Sequence, residues 1–99
     1  MIKLREFNKY DWMEFAGAEK FSDGSAPLIA SYGDNTSVIV DKNGVQAFFM
    51  DDDCYIQAQA DIPVGKEFGI LIANKILCDI EGMTSDQVIE YLNTHGREL

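Results

Sequence analysis

The chain has 99 residues, of which 46% are hydrophobic, and it carries a formal net charge of −9. This length suits one folded domain, and the hydrophobic content is too high for a disordered segment. The negative charge argues against direct binding to nucleic acid or to an anionic membrane surface, because phosphate groups repel a field of the same sign.

The charge is concentrated in the second half of the chain. Residues 1–50 contain seven acidic and five basic residues, whereas residues 51–99 contain ten acidic and three basic residues. Such a field attracts basic partners over about 8 Å at physiological ionic strength. Two interpretations stay open: a functional acidic face, or acidity that only keeps the protein in solution.

The N-terminal elements are a predicted strand followed by a predicted helix. Apolar and polar residues alternate weakly over residues 2–7, which favours a short first strand. Asp11 followed by Glu14 resembles a capping box, so we expect a short helix from Asp11 to about Lys20. Residues 21–27 have the composition of a loop.

Four runs in the middle of the chain predict an antiparallel meander. They are rich in β-branched and aromatic residues and are separated by turn-forming residues, including Asn43-Gly44. The runs are Leu28–Tyr32, Thr36–Val40, Val45–Met50 and Cys54–Ala60. In the last run, alternation places Cys54, Ile56, Ala58 and Ala60 on a buried face, and Tyr55, Gln57 and Gln59 on an exposed face.

Two helices are predicted after the meander. Apolar residues recur every four positions from Phe68 to Ile80, which predicts a helix over Lys66–Ile80 with Gly82 at its C-terminal cap. Gly69 leaves open that Phe68–Ala73 is a fifth strand instead. Thr84 and Gln87 form a second capping box, followed by an apolar stripe.

The predicted fold class is α+β in a single domain spanning residues 1–99. It consists of an antiparallel β-meander of four strands, or five if the N-terminal strand joins it, with two or three helices packed on one face.

The cysteines and the N-terminus predict a cytoplasmic protein. Cys54 and Cys78 form no CxxC motif, and their apolar neighbours predict buried thiols rather than a disulfide. The first residues lack the apolar run of a signal peptide. No apolar run approaches the roughly 20 residues that span a bilayer.

The chain carries no recognisable catalytic or cofactor-binding motif. It lacks the Gly-x-Ser-x-Gly, GxGxxG and P-loop patterns. The Asp51-Asp52-Asp53 run lacks the alternating ligand spacing of a calcium loop, so a turn is favoured over a metal site. We therefore predict a non-enzymatic protein with no cofactor and no metal.

The candidate partner-binding residues lie at the last hairpin tip, on the strand after it and near the N-terminus. They are Asp51, Asp52, Asp53, Tyr55, Gln57, Gln59 and Trp12. Adjacent carboxylates can mimic phosphates toward a basic protein surface, and Trp and Tyr are frequent interface anchors.

Two function hypotheses follow from these residues. The leading one is a small acidic binding protein, with an inhibitor of a nucleic-acid-binding protein or defence complex as its concrete form. The alternative is an accessory or assembly subunit that oligomerises or docks through a sheet edge or an N-terminal aromatic cluster, its acidity serving solubility only. That cluster consists of Phe7, Tyr10, Trp12 and Phe15.

Overall fold

A five-stranded antiparallel sheet is the centre of the computed structural model, which describes residues 12–98 and the side chains of residues 12–94. Each strand pairs with the next one along the chain, in the order β1-β2-β3-β4-β5. The α+β meander predicted from the sequence is therefore confirmed. The strands are β1 (Met13–Glu14), β2 (Leu28–Tyr32), β3 (Thr36–Asp41), β4 (Gly44–Met50) and β5 (Ile56–Ile62).

The two faces of the sheet differ in composition. One row across β2 to β5 consists of Ala30, Val38, Ala47 and Ala60, all of them buried. The neighbouring row, which points to the opposite side, consists of Ser31, Ser37, Phe48 and Gln59. We call the first side the core face and the second the outer face. Small and β-branched residues on the core face leave room for helices to pack closely.

Two helices cover the core face, as predicted. Helix α1 (Lys66–Ile80) packs on β3 and β4, and helix α2 (Ser85–Glu98) packs on β5 and β4. The bounds of α1 are those predicted, so the alternative of a strand over Phe68–Ala73 is wrong. Within residues 12–98, no helix is long and apolar enough to cross a membrane.

Gly69 explains how α1 comes so close to the sheet. It is buried, and a Cβ atom at this position would stand 3.0 Å from Val40 Cγ1 and 3.6 Å from Val45 Cγ2. Glycine weakens a helix by about 1 kcal/mol relative to alanine. Here it also removes the atom that would hold the helix away from β3 and β4.

The start of α2 has the predicted capping box. The Thr84 N–H donates to Gln87 Oε1 (2.9 Å), and the Gln87 N–H donates to Thr84 Oγ1 (3.3 Å). These two bonds satisfy backbone donors that a helix N-terminus leaves without intrahelical partners. Gly82, which precedes this motif, has a positive φ of 79°, as suits the residue after a helix.

A side-chain network joins the two helices. The Tyr91 hydroxyl of α2 donates to Asp79 Oδ2 of α1 (2.7 Å), and Lys75 Nζ donates to the same oxygen (2.7 Å). Partial burial of the Tyr91 hydroxyl, together with its bond to the Asp79 carboxylate, raises the pKa of Tyr91 above its ordinary value.

The helix predicted from Asp11 to about Lys20 is wrong. Met13 and Glu14 pair with Ile29 and Leu28 as strand β1, and residues 16–18 form a turn and bend. The Phe15 N–H extends this contact by donating to Pro27 O (2.9 Å). Edge pairing with β2 therefore outweighs the local capping signal. The strand predicted over residues 2–7 lies outside the described residues.

The predicted burial of both cysteines is also wrong. Cys54 and Cys78 are exposed, and neither forms a disulfide. Cys54 belongs to the turn before β5 rather than to the strand. Cys78 follows the buried Leu77 on α1, and one step of about 100° around the helix carries it toward solvent.

Gly44 provides the first stability prediction. Its φ is 126°, and a Cβ atom there would collide with the carbonyl oxygen of Ile62 on β5. We expect Gly44→Ala to lower the free energy of unfolding by about 3 kcal/mol, since strain and overpacking each cost about 1–3 kcal/mol. Gly65→Ala is the matched control, because its φ is negative and no atom beyond the adjacent residues lies within 4 Å of a Cβ there. Equal denaturant midpoints for the two variants would contradict this reading.

Tyr91 provides a prediction with a pH dependence. Tyr91→Phe should lower the free energy of unfolding by about 1 kcal/mol, the typical contribution of a hydrogen bond. Above pH of about 10, the unfolded chain loses the phenol proton that folded Tyr91 retains, so stability falls as the pH rises. That part of the fall should be missing in Tyr91→Phe and present in Tyr55→Phe, an exposed control, when unfolding is followed from pH 8 to 11.

Candidate protein-interaction surface

Asp51 organises the turn that joins β4 to β5. Its Oδ1 accepts hydrogen bonds from the N–H groups of Asp53 and Tyr55 (2.9 Å each), and its Oδ2 accepts one from Gln57 Nε2 (2.8 Å). Backbone bonds close the same turn, from Asp51 N–H to Tyr55 O and from Cys54 N–H to Asp51 O. An aspartate that accepts backbone N–H groups two or more residues ahead is a typical turn former. Asp51 is therefore part of the scaffold of this turn.

Asn35 ties this turn to the neighbouring one between β2 and β3. Its side-chain Nδ2 donates to Met50 O (2.6 Å) and, more weakly, to Asp52 Oδ1 (3.4 Å). The backbone carbonyl of Asn35 accepts the Met50 N–H (2.8 Å). Asp34, next to Asn35, is exposed. The two turns thus place several carboxylates at one end of the sheet. We call this the acidic end: Asp34, Asp51, Asp52 and Asp53.

A β-bulge exposes the apolar side chain of Ile56 beside the acidic end, next to the exposed Tyr55 of the turn. The register shifts between Phe49 and Met50, so that Met50 pairs with Ile56. A shift of one residue moves a side chain to the other face of a sheet. Ile56, predicted to be buried, therefore lies on the outer face with 55% of its surface exposed, and Tyr55 is 69% exposed. Tyr55 and Ile56 are thus two consecutive exposed apolar residues, and we call this pair the apolar platform.

Gln57 and Gln59 are exposed, as predicted for the outer side of β5. Gln57 donates to Asp51, whereas Gln59 Nε2 contacts both carboxylate oxygens of Asp61 (3.0 Å each). Ala58 and Ala60 are buried on the core face, which confirms the predicted alternation for that part of the strand. The surface therefore continues from the acidic end along β5 to Asp61.

Trp12 is placed apart from the other candidate residues. It precedes β1, at the other edge of the sheet, and its Nε1 is 3.4 Å from Asn74 Oδ1 of α1. The side chain is half-buried and packs against the core. Asn74 in turn donates to the Ile70 carbonyl (3.1 Å). A role of Trp12 in packing is thus visible, and its role in partner binding stays a prediction. Phe7 and Tyr10 of the aromatic cluster lie outside the described residues.

Two members of the surface escaped the sequence-based prediction. Strict alternation predicts Ile56 on the core face because it contains no signal for a bulge. Asn35 lies between the first two predicted strands, where Asn is typical of a turn because its side chain bonds to nearby backbone groups. Its bonds to Met50 and Asp52 join residues 15 and 17 positions apart, which no local pattern predicts.

The candidate surface combines negative charge, exposed apolar side chains and a backbone that is held by hydrogen bonds. Within the described part of the chain, no three His, Cys, Asp or Glu side chains are grouped so as to hold a metal ion. A scan against protein-family models, a search of curated proteins and a search of solved structures each found no match to this chain. Any functional argument therefore depends on the geometry of these residues.

Cys54 provides a prediction about the turn itself. It is the only described non-glycine residue with a positive φ, at 68°. This conformation costs an L-residue about 1–2 kcal/mol, whereas glycine adopts it readily but loses more entropy on folding. We expect Cys54→Gly to raise the free energy of unfolding by about 0.5–1 kcal/mol and Cys54→Ala, which retains the Cβ, to leave it nearly unchanged. A gain of equal size in both variants would show that removal of the thiol, and not relief of the backbone, is responsible.

Proposed function

We propose that this chain is a non-enzymatic binding protein whose acidic end, with the Tyr55 and Ile56 platform, engages a basic protein surface. A nucleic-acid-binding protein or a defence complex is the concrete partner, inhibited because the chain occupies a surface that otherwise binds phosphates. The observation that carries the proposal is the exposure of Tyr55 and Ile56 on a hydrogen-bonded turn beside the carboxylates of Asp52 and Asp53.

The three aspartates have different roles in this proposal. The Asp51 carboxylate accepts three hydrogen bonds from residues 53, 55 and 57, and these bonds stabilise the turn. Asp52 and Asp53 are exposed, and only Asp52 has a long contact to Asn35. Asp52 and Asp53 are therefore the residues that face the partner, and Asp51 fixes their position.

The fixed turn favours affinity. Immobilising a side chain or loop on binding costs about 0.5–1.5 kcal/mol per side chain, and a turn that is already ordered avoids part of that cost. Aromatic residues surrounded by polar groups are frequent hot spots of interfaces. Tyr55 is exposed, follows the exposed Asp52 and Asp53 in the same turn and directly precedes the exposed Ile56.

The local charge favours a basic partner. Residues 51–62 contain four aspartates and neither Lys nor Arg. Opposite charge accelerates association and makes it sensitive to salt, because exposed charges are screened beyond about 8 Å at physiological ionic strength. Among the side chains of residues 12–94, the other large exposed aromatic one is Phe68. It lies near Lys66, a cation that pairs with Asp23 at 3.2 Å.

The cytoplasm is the proposed location. Two exposed cysteines without a disulfide suit a reducing compartment, where thiols are kept free. Many basic nucleic-acid-binding proteins are also found there. A cytoplasmic setting would thus supply both the redox conditions and the class of partner.

The test reverses charge at the acidic end. Tagged Asp52→Lys with Asp53→Lys should capture at most about one tenth as much basic partner from native lysate as the unmodified chain. Glu67→Lys with Glu90→Lys is the matched control, because it changes the net charge equally at two exposed helical residues. Asp51 is left intact, since its substitution would disturb the turn.

Two further readouts make the result specific. The captured protein should be released by moderate salt and by excess duplex DNA, because the chain and DNA would compete for one basic surface. Purified partner should give the same order of affinities for the three chains. If both double variants lose capture equally, net charge alone explains the effect and the proposal is overturned. The proposal is also overturned if neither double variant changes the amount of captured partner.

A further inference from the structure

Strand β5 has an unpaired edge in the described part of the chain. It is the last strand in the sheet order, so it pairs with β4 on one side and with no other strand among residues 12–98. It has seven residues, whereas β1 at the opposite end of the sheet has two. An edge of this length presents a row of backbone N–H and C=O groups to which a further strand can pair.

The register of β4 determines which of its residues bond to β5. The Met50 N–H donates to Asn35 O (2.8 Å), and along an antiparallel strand the residues that bond to one neighbour alternate with those that bond to the other. Even-numbered residues of β4 therefore bond to β3. Val45, Ala47 and Phe49 direct their backbone groups toward β5.

The same alternation identifies the outward-facing groups of β5. Ala58, Ala60 and Ile62 are the partners of the β4 residues that face β5, so their N–H and C=O groups are used within the sheet. Gln59 and Asp61 lie between them and direct their backbone groups to the outer edge. The side chains of both are exposed on the outer face.

Charge selects the occupant of this edge. A second copy would bring the same aspartates of residues 51–62 toward those of the first, and like charges placed opposite each other in a sheet are destabilising. A strand with Lys or Arg would instead place cations beside them. Neither Gly nor Pro interrupts Ile56–Ile62, so the sequence of the strand itself does not block pairing.

We infer that β5 accepts an extended segment of the basic partner as a sixth, antiparallel strand; this rests on the proposed function and specifies how the partner binds. Residues directly opposite each other share a face of the sheet. The residues of the added strand opposite Gln59 and Asp61 therefore lie on the outer face, where a basic side chain stands beside the Asp61 carboxylate. The fitting segment is an extended run in which Lys or Arg alternates with other residues.

This geometry couples the basic side chains of the added strand to its backbone hydrogen bonds. Gln59 and Asp61 exchange bonds with the residues directly opposite them, which are the basic ones. The N–H groups of the basic residues thus point at β5, and those of the residues between them point away. Attraction between charges alone has no such dependence on the backbone.

The probe is a labelled octapeptide of alternating Lys and Thr, blocked at both ends, titrated with the full chain and followed by fluorescence anisotropy. Two isomers carry N-methyl groups on the backbone nitrogens of either all the Lys or all the Thr residues. We expect the Lys-methylated isomer to bind at least about tenfold more weakly than the unmodified peptide, since each lost hydrogen bond costs about 1 kcal/mol. The Thr-methylated isomer, equal in charge and mass, should bind like the unmodified peptide.

Two measurements examine the edge from the side of the protein. Gln59→Pro removes the outward N–H without removing a bond to β4 and should bind the unmodified peptide about tenfold more weakly than Gln59→Ala, which loses the same side-chain amide but keeps the N–H. In the unmodified chain, bound peptide should slow hydrogen exchange at the amides of Gln59 and Asp61. The amides of Ala58 and Ala60, already bonded to β4, should not change.

Each other outcome overturns the inference. Equal binding of the two methylated isomers, with unchanged exchange at Gln59 and Asp61, would mean that the peptide binds by charge alone. If none of the peptides binds, β5 does not accept a basic strand. If the chain instead self-associates and Gln59→Pro abolishes this self-association, the edge pairs with a second copy of the chain. The proposed function is decided separately by Asp52→Lys with Asp53→Lys, which leaves the backbone of β5 untouched.

Discussion

The absence of a side chain at Gly69 is the constraint on which the arrangement of the sheet and helices depends. Because no Cβ separates it from Val40, α1 lies close against β3 and β4. Helix α1 follows β5 after residues 63–65, so the chain must cross from the last strand back over the middle of the sheet. Helix α2 then packs on β5 and β4, beside α1. The core face is covered in this way, with α2 packed mainly on β5, the last strand of the sheet.

The acidic end depends on hydrogen bonds more than on packing. Asp51 and Asn35 hold two turns in register, and the β-bulge after them changes which side of the sheet carries Ile56. Apolar and charged groups consequently meet on one exposed surface. A single inserted residue in β5 thus determines both the end of the regular core and the composition of the surface.

The sequence predicts most of the regular elements because their signals are local. Four strands and α1 follow from periodicity, and the capping box of Thr84 and Gln87 follows from spacing. The errors arise where distant contacts decide. Met13 and Glu14 pair with β2 although the local pattern indicates a helix, and Cys54 adopts a positive φ that its residue type does not suggest. The aspartates and glutamines of the candidate surface can be identified from the sequence. That Asp51 stabilises the turn while Asp52 and Asp53 stay exposed becomes visible only from the hydrogen bonds of the structure.

The strictly sequential strand order has a consequence for folding kinetics. Every strand pairs with its neighbour in the chain, and the turns from β2 to β5 are short (residues 33–35, 42–43 and 51–55), so the entropy cost of bringing these segments together is small. Sheets built from such local pairings fold faster than those that join remote segments. During synthesis, the meander can therefore assemble hairpin by hairpin, and the arrival of α1 and α2 completes the core after the sheet has its register.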